Sequence, residues 1–170
     1  MHDGGHADVA IRDGAEWVRF EYGAAGTGAL ISEDERHAAF FHWDGQGETG
    51  YEVFELRPTP AHLGGVPQVW GEAGAPVFSP DGGWLVWLVL VEPAVSDGGP
   101  EGVVTWGELF VHRLLSGADI ARVPMRSVGD ADEVDRWSRD LRVRFAVEDV
   151  VTLVMRGGEE LVSEIRLTAL

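Results

Sequence analysis

The stretch Ala75-Pro76-Val77-Phe78-Ser79-Pro80-Asp81-Gly82-Gly83-Trp84-Leu85-Val86-Trp87-Leu88-Val89 reads strand, tight turn, strand. Pro80 presets φ for the first central turn position, and Asp81-Gly82 suit positions where φ turns positive. The flanks are rich in β-branched and aromatic residues, which favour a pleated, half-buried surface. Trp84 and Trp87 are three apart, so on one strand they point to opposite faces, and the strand calls for apolar neighbours on both sides.

The same pattern recurs. Ile31-Ser32-Glu33-Asp34-Glu35-Arg36-His37-Ala38-Ala39-Phe40 matches Phe78 to Trp87 at its apolar, Ser and Asp positions. Phe145-Ala146-Val147-Glu148-Asp149-Val150-Val151-Thr152-Leu153 repeats the apolar end, acidic turn and new apolar strand. A further partly alternating strand follows each time: Tyr51 to Leu56, Glu108 to Leu115 and Leu161 to Leu167. Short fourth strands follow the first two, at Gln68-Val69-Trp70 and Asp119 to Val123. The repeat units run over about 26–72, 73–126 and 138–170 of one domain spanning 1–170. Between the second and third, Gly129 to Trp137 predicts one or two helical turns, capped by Asp130 and favoured by acids at the N-terminus. Elsewhere, Gly and Pro punctuate the chain every few residues, as many short strands require.

A four-stranded antiparallel unit of about 40–50 residues has the size of a β-propeller blade. The hairpin Phe78-Ser79-Pro80-Asp81-Gly82 followed by Trp84-Leu85-Val86-Trp87 resembles the first-to-second strand turn of TolB-type, WD-like β-propeller repeats. Glu108-Leu109-Phe110-Val111 with Ser116-Gly117 resembles their third strand and the turn after it. The first unit departs from that pattern at Glu33 and Glu35, and the third loses both the proline and the glycine. The resemblance implies an all-β fold of three four-stranded antiparallel blades. Closed propellers usually have about 4–8 blades. Two completions are open: strand 16–22 closing the third unit, and a homodimer closing a six-bladed ring, twofold symmetry being the commonest oligomer form.

Composition narrows the function. The 170 residues carry 29 acids and 13 basic residues, a formal net charge of -16. Every basic residue is Arg, and Lys and Asn are absent, the mark of a GC-rich, bacterial genome. This acidity argues against nucleic acid, whose phosphates need clustered basic groups. No run of about 18 apolar residues offers a membrane span, and the N-terminus lacks the basic and apolar regions of a secretory signal, so the expected location is cytoplasmic. The absence of cysteine excludes thiol chemistry and disulfides.

Motif searches yield no catalytic set and no cofactor. Gly45-Gln46-Gly47-Glu48-Thr49-Gly50 fits G-x-G-x-x-G, but strand rather than helix follows and Glu48 would repel phosphate, so it reads as a hairpin loop. The six histidines are scattered, with no visible metal set; His112 reads as a surface residue. Ser32 and Ser79 recur in the turn, where a hydroxyl bonds local backbone rather than substrate. The loops expected on one propeller face carry Asp44, Glu48, Glu72, Asp97, Glu101, Asp130 and Asp132, bordered by Trp106 and Trp137. These point to a non-catalytic interaction module whose acidic loop face receives a basic protein partner, one form being an inhibitor or immunity-type protein. The competing reading is a hydrolase or lyase using carboxylates or a divalent cation at the ring centre.

Overall fold

A computed structural model describes residues 7–13, 16–22, 26–43, 48–95, 102–114, 119–155 and 164–170, with side chains from residue 29 onward except those of 42, 43 and 67. The chain is mostly antiparallel β-sheet with one short helix. It divides into two compact units, Met1–Trp70 and Gly71–Leu170.

In the first unit, β1 (Ala7–Asp13) and β2 (Glu16–Tyr22) pair as a hairpin. Strand 16–22 was expected to close the third unit; it has β1 as its partner instead, because the short link to β1 makes the local antiparallel pairing available first. A four-stranded sheet follows in chain order, built from β3 (Gly26–Ile31), β4 (His37–Trp43), β5 (Glu48–Glu55) and β6 (Ala61–Trp70). Both faces of β5 are buried in part: Tyr51 and Val53 on one, Phe54 on the other. Phe54 meets Phe40 edge-on, with ring centroids 5.6 Å apart, and His62 lies 4.9 Å from it on the next strand.

The second unit holds two sheets. The five-stranded one comprises β7 (Glu72–Ala73), β8 (Val77–Phe78), β9 (Trp84–Val95), β10 (Val103–Arg113) and β11 (Asp119–Val128). β9 and β10 lie at its centre, and the two short strands share the edge beyond β9. The three-stranded sheet has β13 (Val150–Met155) between β12 (Leu141–Val147) and β14 (Ile165–Arg166). Helix α1 (Ala131–Ser138) links them. One core joins all three elements: Val86 and Leu88 of β9, Leu109 and Val111 of β10, Val134 of α1, and Leu141, Val151 and Leu153 of the last sheet. The alternation of β9 explains why its other face is buried as well. Leu85, Trp87 and Val89 point there, with Trp87 directly opposite Phe110.

The first two sheets use the same turn, atom for atom. The Ser32 N–H donates to the His37 carbonyl (3.0 Å), and the Glu35 N–H to the Ser32 carbonyl (2.9 Å). In the second turn, the Ser79 N–H donates to the Trp84 carbonyl (2.9 Å), and the Gly82 N–H to the Ser79 carbonyl (2.9 Å). Each Ser hydroxyl donates to the Asp two residues on, at 2.6 Å for Asp34 and 2.5 Å for Asp81. Each also accepts the N–H five residues on, from His37 at 3.0 Å and Trp84 at 2.9 Å. Each Asp in turn accepts an N–H, from Arg36 or Gly83, at 3.1 Å. Only one residue per turn needs positive φ: Gly82 at 70° and Glu35 at 55°. Asp81, expected to share that conformation, does not, because its carboxylate is committed to the forward hydrogen bonds.

Candidate functional site

The site is best built from the segment that interrupts the strands. Asp130 is extended (φ -75°, ψ 137°), and its side chain accepts the Asp132 N–H at 2.8 Å, which caps α1. Asp132 and Glu133 occupy the first turn, where the helix dipole favours negative charge. The Arg139 guanidinium pairs with Asp135 one turn earlier at 3.1 Å. Arg136 folds back so that its Nε donates to the Asp132 carbonyl at 3.1 Å. The apolar face of the helix buries Val134 and turns Trp137 inward.

Trp137 meets Trp106 of β10 edge-to-face, with centroids 5.2 Å apart and planes at 70°. Trp106 is 3% exposed and donates its indole N–H to the Ser127 hydroxyl at 3.2 Å. The two rings line a cleft of about 420 Å³ together with Met125, Arg126, Leu141, Leu153 and Ile165, among others. Apolar walls with a few polar groups are the usual make-up of a binding cleft. A second groove of about 400 Å³ runs between Glu72, Leu88 and Leu90 on one side and Arg139, Arg142 and Val143 on the other. There the Arg142 guanidinium donates to the Arg139 carbonyl (3.0 Å) and the Leu141 carbonyl (2.5 Å).

The structure thus brings Trp106 and Trp137 together and puts Asp130 and Asp132 at the other end of the helix that carries Trp137. Glu72 is exposed and lines the second groove. Glu48 belongs to the first unit, where it accepts from the Gln68 amide. Asp44, Asp97 and Glu101 lie outside the described residues. Asp130 caps the helix, as its place before Asp132 and Glu133 predicts, so its carboxylate is already engaged locally. Met125, Leu141, Leu153 and Ile165 were missed as cleft residues; the only sequence signal they carry is strand alternation, which marks an inward face without saying where that face opens.

Two histidines differ from expectation or gain definition. His112, read as a surface residue, is fully buried on β10, between Leu85 and Ile120 in register. The central position of β10 buries both of its faces, so strand alternation alone misplaces this residue. His37 is buried in the first repeated turn, and burial holds its imidazole below the ordinary value despite the opposing charges of Asp34 and Glu55. Burial also pulls the Asp34 carboxyl upward, but hydrogen bonds from the Ser32 hydroxyl and the Arg36 N–H outweigh it and leave the group below its ordinary value. Burial, reinforced by the Glu52 charge, raises the Tyr51 phenol. On the first sheet His62 Nε2 lies 2.6 Å from a Glu52 carboxylate oxygen.

Among the described residues, no three His, Asp or Glu side chains gather in a way that could hold a metal ion. Among the same residues no helix is long and apolar enough to cross a membrane. Comparison with protein-family models, with curated proteins and with solved structures finds no match to this chain.

Proposed function

We propose that this chain is a non-catalytic protein-interaction module that holds a basic segment of a partner protein, its Trp106–Trp137 cleft taking the apolar stem of an Arg or Lys while the acids at the far end of helix α1, and not the cleft wall with its Arg126, take the charge. The observation that carries this reading is the pairing of the two indoles in a cleft at one end of a helix whose other end exposes Asp132 and Glu133. A long cationic side chain is itself apolar along its stem and charged at its head. An aromatic wall attracts the head by about 0.5–1 kcal/mol at an exposed site. The described residues already use that chemistry, with Arg113 5.6 Å from the Trp84 centroid and Arg122 5.1 Å from that of Phe110. A net charge of -16 adds long-range steering of a positive partner, which raises the association rate more than the final affinity. An inhibitor of a basic toxin or nuclease would be one instance of such a module.

The scaffold we assign to it is a β-propeller of TolB-like, WD-like blades. The matching hydrogen bonds of the Ser32 and Ser79 turns support a common unit behind the first two sheets. The face-to-face packing of the two sheets in the second unit supports blade-like stacking. In this reading each chain supplies three blades, and a second copy supplies the other three.

Titration with an oligoarginine peptide, followed by tryptophan fluorescence, tests the binding proposal. Binding should weaken steeply with salt, and Asp132→Asn with Glu133→Gln should weaken it about tenfold. No binding, or binding indifferent to both salt and these two changes, would defeat the proposal.

A further inference from the structure

The second groove is bounded by the edges of two sheets, both in the second unit. Leu141, Arg142 and Val143 line one wall, and Glu72, Ala73, Gly74 and Ala75 line the other. Successive residues of a strand point to opposite faces, so a cavity touched by three in a row runs along the strand's edge. Among the described residues β12 pairs with β13 alone, so its other edge keeps N–H and C=O groups that no strand satisfies. The facing wall has no continuous edge, because Pro76 interrupts it between β7 and β8. Between the two walls, Val77, Leu88 and Leu90 supply an apolar floor.

One end of the groove is positive in a chain of net charge -16. The Arg142 Nη1 donates to the Arg139 and Leu141 carbonyls, which seats the guanidinium where β12 begins. Both acceptors are neutral, so these bonds leave the charge uncancelled, and Nε and Nη2 have no partner among the described residues. Arg139 beside it gives Nε and Nη2 to one Asp135 oxygen and keeps Nη1 outside that pair. Glu72 on the opposite wall repels an acidic side chain laid along the groove, which confines negative charge to the Arg142 end.

We infer that this groove captures the free C-terminus of a partner protein as an extended strand added to the open edge of β12. A strand antiparallel to β12, as β13 is, reaches its C-terminal end where β12 begins, so its terminal carboxylate meets Arg142. Main-chain hydrogen bonds to the edge give affinity without regard to sequence, and alternate side chains, small and aliphatic, enter the apolar floor. A carboxylate on a guanidinium that is already held in place loses little freedom on binding and gains charge-assisted hydrogen bonds. The site is separate from the acids of α1 and does not depend on the binding of a basic segment there.

Fluorescence anisotropy of a labelled, N-blocked peptide of alternating Thr and Val tests this, with the C-terminus either free or amidated. The free acid should bind, and the amide should bind about tenfold more weakly. Arg142→Gln should remove that preference for the free acid. A Cβ at Gly74 meets nothing within 4 Å, so Gly74→Phe fills the groove without a clash and should abolish binding of both peptides. Melting curves verify both variants; if Arg142→Gln is unfolded, the acid-to-amide ratio of the wild type together with Gly74→Phe decides. Asp132→Asn with Glu133→Gln should leave peptide binding unchanged, which separates this site from the cleft of Trp106 and Trp137. No binding at about 1 mM peptide, equal binding of acid and amide, or wild-type binding by Gly74→Phe overturns the inference.

Discussion

The Ser79 hydroxyl sits at the centre of its turn: it donates to Asp81, accepts the Trp84 N–H, and is itself almost wholly buried. Ser79→Ala leaves the Trp84 N–H without that acceptor and should destabilise the protein by about 1–3 kcal/mol. Ser32→Ala should cost a similar amount, since Ser32 makes the same bonds to Asp34 and His37. Urea midpoints read both, and a negligible shift in either would refute the equivalence of the two turns. Glu35 occupies the position that Gly82 fills in the second turn, at φ 55°. A left-handed conformation costs an L-residue roughly 1–2 kcal/mol, part of which a glycine returns as lost chain entropy. The 3.3 Å pair with Arg57 is exposed on both sides and adds little. Glu35→Gly should therefore raise stability by about 0.5–1 kcal/mol, and a loss in thermal or chemical midpoint would contradict this. His37 makes the same turn sensitive to pH. Its unfolded pKa is near 6.5 and burial lowers the folded one. As pH falls below 6.5 the unfolded chain binds a proton that the native state resists, so stability drops until the folded value is passed. Asp34 acts in the same direction at lower pH: its contribution is present above 3.8 and is lost as the carboxyl protonates below that. In His37→Gln the decline in urea midpoint between about pH 7.5 and 5.5 should flatten, and an unchanged slope would rule His37 out as its source.

At the scale of elements, β5 and β6 approach so closely that one position tolerates nothing larger than glycine. A Cβ on Gly65 would lie 2.0 Å from the Tyr51 carbonyl oxygen and 2.8 Å from the Glu52 Cα, both backbone atoms that cannot swing aside. Gly65→Ala should cost about 3 kcal/mol or more, or force a shift in β6 visible as lost amide protection on that strand. A mild effect would mean that the two strands are less tightly joined. Edges are treated differently. β11 carries Pro124 and the charged Arg122 and Arg126, and the edge beyond β9 is broken at Pro76 between β7 and β8, devices that discourage another chain from adding a strand. Most of these elements were legible from the chain. Alternation and turn residues located the hairpins at Ser32, Ser79 and Asp149, and Asp130 with its following acids marked α1. The long reach of β9 and β10, and the pairing of β2 with β1, were not legible, because propensity does not say which of several neighbouring strands a segment will choose.

For the whole molecule, the balance is between burial and charge. Leu109 is fully buried in the core of the second unit, and Leu109→Ala should cost about 2–5 kcal/mol according to how far the cavity relaxes. The -16 charge opposes compaction through self-repulsion, which salt screens over about 10 Å at 0.1 M. The candidate site shows how far a sequence alone can reach. Trp106 and Trp137 stood out as large apolar residues beside loops, yet Trp70, of the same type, is 63% exposed and His112, read as surface, is buried. What the chain determined by itself was local: β-structure from alternation, turns from Ser, Asp and Gly, a helix from its cap, and an acidic character from its composition. What the tertiary structure decided was which faces meet. The meeting of Trp106 with Trp137, the burial of His112 and the groove beside Arg142 depend on contacts between residues far apart in the chain, and such contacts are set by the joint packing of several elements rather than by any one segment.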